Sequence, residues 1–142
     1  MLLAREKSQL LIVDVQDKLL DAISGKDRVV DRCIRLVRAA RALDVPITVS
    51  EQYPQGLGPT VDPIRDALAN AAFVADKVEF SCLRSDVLRE RLHGLRREGR
   101  AQVVLAGIET HARSDQGHRA RDGRDEHHVQ RDLPRLCLHA AR

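Results

Sequence analysis

The stretch Val103-Val104-Leu105-Ala106-Gly107-Ile108-Glu109-Thr110-His111 constrains the fold more than any other. A β-branched apolar run breaks at a glycine and then presents polar residues. Strands buried on both faces of a parallel sheet read as continuous apolar runs of this kind. Open α/β sheets place their sites just beyond the carboxyl ends of such strands. Two other segments repeat the pattern of an apolar run with a charged end: Leu10-Leu11-Ile12-Val13-Asp14-Val15-Gln16, and Phe73-Val74-Ala75 running into Asp76-Lys77-Val78-Glu79-Phe80-Ser81.

Helical patterns alternate with these runs. Residues 9–13 are the first predicted strand. Residues 27–43 predict a helix, with Val30, Ile34, Val37 and Ala40 or Arg41 on one stripe and Arg28, Arg32, Arg35 and Arg38 opposite. Cys33 lies beside that stripe and reads as a structural thiol. Ile47-Thr48-Val49-Ser50 is a second strand, and residues 51–60 read as a loop rich in proline and glycine. A short helix is expected over 62–69, with Pro63 suited to its first turn. Residues 73–75 are a third strand. Residues 85–98 form a helix capped by Ser85, with Leu88, Leu92 and Leu95 on one stripe. Gly99 ends it, and residues 101–106 are the fourth strand. The expected fold is α/β: an open three-layer α/β/α domain with a mostly parallel sheet. Right-handed crossovers bring all four strand ends to one edge.

Composition narrows the function. A chain of 142 residues is one domain in size. Aromatics make up 2% of it, so the core is aliphatic. The net charge is +3, but arginine is interleaved with Asp and Glu, and stacking aromatics are scarce. Nucleic acid is therefore not an expected partner. No apolar run approaches the roughly 20 residues of a membrane span, so a membrane partner is not expected either. Residues 1–8 carry Arg5, Glu6 and Lys7 and no signal-peptide core. Cys33, Cys82 and Cys137 are an odd, scattered set, which suits reduced thiols in a cytoplasmic protein.

Two charged residues stand out at strand ends. Asp14 is either a turn residue or a carboxylate projecting into a cleft. The lack of a neighbouring glycine or proline favours the cleft. Lys77 ends a strand and precedes Phe80-Ser81-Cys82, which makes burial beside a carboxylate the expectation. A lysine near a thiol would favour the thiolate. The 51–60 loop follows a strand directly, so it lies on the same edge as Asp14 and carries the chain's one tyrosine.

These residues resemble the isochorismatase-like cysteine hydrolases, which include nicotinamidase-type and related amidohydrolases. The resemblance rests on four segments in order: Leu11-Ile12-Val13-Asp14-Val15-Gln16; Ser50-Glu51-Gln52-Tyr53-Pro54-Gln55-Gly56-Leu57-Gly58-Pro59-Thr60; Lys77-Val78-Glu79-Phe80-Ser81; and Gly107-Ile108-Glu109-Thr110-His111. It implies an Asp-Lys-Cys triad that hydrolyses C–N or related bonds of a small molecule through a thioester-type intermediate. Asp14 would match the aspartate that takes the thiol proton, and Lys77 the lysine that holds the carboxylate and lowers the thiol pKa. Gln16, Glu51, Tyr53 and Thr110 are the expected substrate-binding side chains. The family is often oligomeric, so a homo-oligomer is expected. The nicotinamidase subgroup carries an Asp and paired histidines for a metal after the second strand. Here the segment is Ser50-Glu51-Gln52-Tyr53, so no metal and no cofactor are expected.

The chain departs from the family after His111. Where relatives read Gly-Ile-Glu-Thr-His-Val-Cys-Val, this sequence has His111-Ala112-Arg113-Ser114. Arg113 stands at the position of the missing Cys, and a guanidinium is no nucleophile. Arg113 is expected to pair with Asp14 if the cleft survives. The domain organisation reads as an isochorismatase-like α/β domain over residues 1–112, altered after its fourth strand, and an anomalous charged tail over 113–142. The tail has no apolar period, and five of the six histidines fall at or after His111. A shifted reading frame is the favoured explanation; a disordered or partner-binding tail is the alternative. His127 and His128 are adjacent and lack zinc-ligand spacing. The two function classes that follow are a cysteine hydrolase impaired by loss of its nucleophile and a non-catalytic binding protein that reuses the fold.

Overall fold

The computed structural model describes residues 2–108. Thr110, Arg113, Cys137 and the 113–142 segment lie outside the described residues, as does the expected Arg113–Asp14 pairing.

After a short turn the chain enters β1 (Ser8–Val13), α1 (Asp17–Leu20), α2 (Lys26–Ala42) and β2 (Ile47–Gln52). α3 (Pro54–Leu57), α4 (Asp62–Leu68), β3 (Ala72–Lys77), α5 (Asp86–Arg97) and β4 (Gln102–Gly107) follow. The four strands form one sheet in the order β3-β2-β1-β4, and every pairing is parallel. The chain thus builds outward from β1 through β2 to β3, then returns to the other side of β1 with β4. This reversal is a topological switch point, and the crevice it leaves lies beyond the carboxyl ends of β1 and β4.

The period of the strands assigns the helices to faces. Leu10 and Ile12 of β1 are buried in one cluster with Ile47 and Val49 of β2, Ala106 of β4, Val29, Cys33, Val37 and Ala40 of α2, and Ile64, Ala67 and Leu68 of α4. Each buried Leu, Ile or Val in such a cluster contributes about 1.5–3 kcal/mol. The alternate residues Gln9 and Leu11 face the opposite way. There the Gln9 carboxamide donates to the carbonyls of Leu92 and Arg100, at 3.4 and 2.7 Å, which ties α5 to that face. Leu88, Leu92 and Leu95 are the buried stripe of α5. The result is the three-layer α/β/α arrangement.

Five local features differ from the sequence reading; one is that Ser85 precedes α5 without a side-chain cap hydrogen bond. The most buried stripe of α2 is Val29, Cys33, Val37 and Ala40, so Cys33 is in the stripe rather than beside it. Val30 and Ile34 are only partly buried against the same core. Arg41 turns away and donates to the Ala67 carbonyl at 2.8 Å. β2 runs on through Glu51 and Gln52, because β3 also extends and pairs them with Asp76 and Lys77. The proline-rich segment then forms a helical turn, α3, with Pro54 at its start. Burial against apolar neighbours pushes the Cys33 thiol up from 9.0 to about 11.

Gly107 fixes how closely β4 approaches β1. Its φ is 143°, and a Cβ there would overlap the backbone of Val13. The next residue, Ile108, donates its N–H to the Val13 carbonyl at 3.0 Å. Gly99 has φ 94° but open space around it. Gly107→Ala is therefore expected to lower unfolding free energy by about 3 kcal/mol or more, against about 1–2 kcal/mol for Gly99→Ala, in urea melts.

Candidate active site

The carboxyl ends of β1, β2 and β3 each contribute a polar side chain to one buried cluster. Asp14 follows β1 and adopts a left-handed backbone conformation, φ 52°. Aspartate tolerates this region better than most residues. The conformation breaks the alternation of the strand and lets the carboxylate join the face carrying Ser50 and Lys77. Ser50 lies opposite Val13 in the β1–β2 register, and Lys77 lies opposite Gln52 in the β2–β3 register.

Lys77 Nζ is 2.7 Å from Asp14 Oδ2, and the two side chains are 0% and 12% exposed. Ser50 Oγ donates to the other carboxylate oxygen, Oδ1, at 2.7 Å. The ammonium also donates to Gln52 Oε1 at 2.7 Å and to the carbonyls of Glu79 and Phe80 at 3.3 and 3.4 Å. The chain after β3 curls around the lysine to supply those carbonyls. Cys82 follows, with Sγ 3.6 Å from Ser50 Oγ.

Lys77 favours the Cys82 thiolate as expected, but it does not set the balance. Burial pushes the Cys82 thiol up, and it outweighs the hydrogen bond with Ser50 and the positive charge of Lys77, both of which pull it down. Asp14, the counter-charge of Lys77, adds to the upward push.

The other residues singled out in the sequence are placed around this cluster. Gln16 is fully buried. Its carboxamide nitrogen donates to the Gln52 carbonyl at 2.9 Å and to the Gly58 carbonyl, and its oxygen accepts from the Gln52 N–H at 2.7 Å. Glu51 is buried and accepts the Thr60 N–H at 2.7 Å. Both side chains hold the 53–60 segment onto the sheet edge. Tyr53 has φ 37°, donates its N–H to the Lys77 carbonyl at 2.8 Å, and leaves its ring exposed. Sequence reasoning gave no role to Ser50 or Gln52. Their signal was there: polar residues at the carboxyl end of an otherwise apolar central strand.

Two clefts of about 310 and 390 Å³ lie elsewhere, one between α4 and β3 and one among α1, α2 and α4. Neither is lined by Asp14 or Lys77. Among the described residues no group of three or more His, Cys, Asp or Glu is arranged to hold a metal ion, and no helix is long and apolar enough to cross a membrane.

The sequence profile of the isochorismatase domain matches residues 8–119. The chain belongs to the isochorismatase family. Isochorismatase domain-containing protein 2A of Mus musculus is 38% identical over 107 residues, covering 75% of this chain and 48% of the mouse protein. Isochorismatase domain-containing protein 2 of Xenopus laevis is 34% identical over 110 residues, covering 78% of this chain and 51% of the frog protein. The chain thus spans about half the length of these relatives. Among solved structures, the MAR1 ribonuclease of Caenorhabditis elegans is similar with TM-score 0.66 and 33% identity, over 75% of this chain and 53% of that one. The YcaC gene product of Escherichia coli, an octameric hydrolase of unknown specificity, shares the fold with TM-score 0.64 and 19% identity, over 75% of this chain and 52% of that one.

The isochorismatase-family cluster contains a buried ion pair, and removing one partner strands the other. Lys77→Met is expected to cost about 3–5 kcal/mol. Adding Asp14→Asn should recover part of that loss. A double-mutant cycle from urea melts checks this, and strictly additive costs would show that the two charges act independently.

Proposed function

We propose that the chain is an isochorismatase-like hydrolase by descent, whose site acts on a C–N or related bond of a small molecule by cysteine nucleophilic catalysis. The observation that supports it most is the 2.7 Å contact between the buried Lys77 ammonium and the Asp14 carboxylate, at the carboxyl edge of the sheet. In this reading Asp14 accepts the proton of a nucleophilic thiol. Lys77 holds that carboxylate in place and favours negative charge nearby. A base and a cation together raise the reactive fraction of a thiol that is only a few per cent ionised at neutral pH.

Substrate contact falls to the exposed Tyr53 ring and to Thr110. Gln16 and Glu51 act by holding the intervening segment in place. Arg113 stands where the family's nucleophile belongs, so turnover is impaired, and residues 113–142 are a tail distinct from the 1–112 domain. The free thiols Cys33 and Cys82 support a reducing, cytoplasmic setting. Association of like chains belongs to the same reading, and the octameric YcaC product, which shares the fold, is consistent with it. Sedimentation velocity should then show a dimer or larger species; a monomer across the accessible concentration range would overturn that part.

Arg113→Cys is expected to gain thiol-dependent amide hydrolysis, read as amine release from small amides, and to keep that gain when combined with Cys82→Ala. Failure to gain activity while a small amide still binds would instead support a non-catalytic binding protein.

A further inference from the structure

We propose that Cys82 is a nucleophilic thiol of this site, served by Asp14 through the hydroxyl of Ser50 and open to small uncharged carbon electrophiles. Three side chains from three separate segments form a directed chain of donors. Cys82 Sγ donates to Ser50 Oγ at 3.6 Å, a reach that suits the larger sulfur atom. Ser50 Oγ donates to Asp14 Oδ1 at 2.7 Å. The remaining carboxylate oxygen is paired with Lys77. Each donor points toward the carboxylate, so a proton leaving sulfur has a path and a base at its end.

The electrostatics explain why the path is needed. The charged groups acting on the sulfur are Lys77, which favours its anion, and Asp14, which opposes it. Burial decides the balance, and the resting thiol is neutral. A neutral thiol reacts when a base takes its proton during attack. Among the described residues the positive charge of Lys77 is matched by Asp14, an arrangement that suits an uncharged electrophile. Cys82 is only partly buried, and its neighbours Phe80 and Leu83 are exposed, so a small apolar or amide-bearing molecule can approach. Cys33 provides an internal contrast: fully buried within the α2 stripe, with its thiol pushed up to about 11.

Iodoacetamide is a suitable probe of this chemistry. The sulfur forms a bond to the methylene carbon, the C–I bond breaks, and iodide leaves with the bonding pair. The thiol proton passes to Ser50 Oγ as Ser50 gives its own to Asp14, which later releases it to solvent. The inference rests on reading Asp14 as a base and is independent of Arg113.

The experiment is timed alkylation of the full chain at pH 7, with peptide mass spectrometry following each cysteine separately. Cys82 is expected to react about tenfold or more faster in the wild type than in Ser50→Ala, which leaves the Asp14–Lys77 pair in place. Ser50→Thr, which keeps the hydroxyl, should retain the wild-type rate. Between pH 6 and 8 the wild-type rate should stay nearly level, while in Ser50→Ala it should rise about tenfold per unit with the thiolate fraction. Circular dichroism melts establish that each variant is folded; the wild-type pH profile stands as the test if Ser50→Ala, a loss of one oxygen, does not fold. Equal Cys82 rates in the wild type and folded Ser50→Ala would overturn the proposal. So would Cys82 and Cys33 reacting in step, which would show general opening. Failure of Arg113→Cys to gain amide hydrolysis would overturn the reading of the parent activity and leave this result standing; uniform labelling beside such a gain would do the reverse.

Discussion

An ammonium and a carboxylate held 2.7 Å apart at a sheet edge, almost wholly out of water, set the terms for the rest of this molecule. Removing each ion from water costs several kcal/mol, and attraction between the two offsets this only where the remaining donors and acceptors are also satisfied. Here they are. Lys77 Nζ has Asp14, Gln52 and two backbone carbonyls around it, and Asp14 has both Lys77 and Ser50. The arrangement needs β1, β2 and β3 in one register. A slip of one residue in β2 or β3 would carry Ser50 or Lys77 to the opposite face of the sheet. The ion pair and the parallel sheet therefore specify each other.

The strand order places this pair beside the reversal of the chain. β1 is central, with β2 on one side and β4 on the other. Helices α2 and α4 cover one face through the aliphatic cluster, and α5 covers the other through Gln9 and its leucine stripe. Gly107 lets β4 approach β1 closely at the same edge.

Much of this frame was legible in the residues. Short aliphatic runs such as residues 9–13 and 101–106 read as strands when amphipathic helices separate them; burial on both faces explains the lack of alternation in β1, whereas β4 is only partly buried. Asp14 and Lys77 stood out because a charge at the end of an apolar run must find a partner. Less legible was anything set by pairing across strands. The extension of β2 through Gln52 depends on β3 beside it, and the role of Ser50 depends on a register that local sequence does not carry. The choice between Val30 and Cys33 for the inner stripe of α2 is of the same kind: both fit a helical period, and contact with the sheet decides. The thiol of Cys82 likewise depends on two opposed effects, burial and neighbouring charge, whose balance only coordinates reveal.

The carboxamide of Gln16 grips the backbone at Gln52 from both its ends and reaches Gly58 as well. One planar group therefore welds the last rung of the central ladder to the rim above it. The rim cannot swing aside as an independent flap without releasing the strand that carries Ser50. At this part of the edge the backbone is a fixed sill, and the exposed Tyr53 ring is the part of it left free to turn.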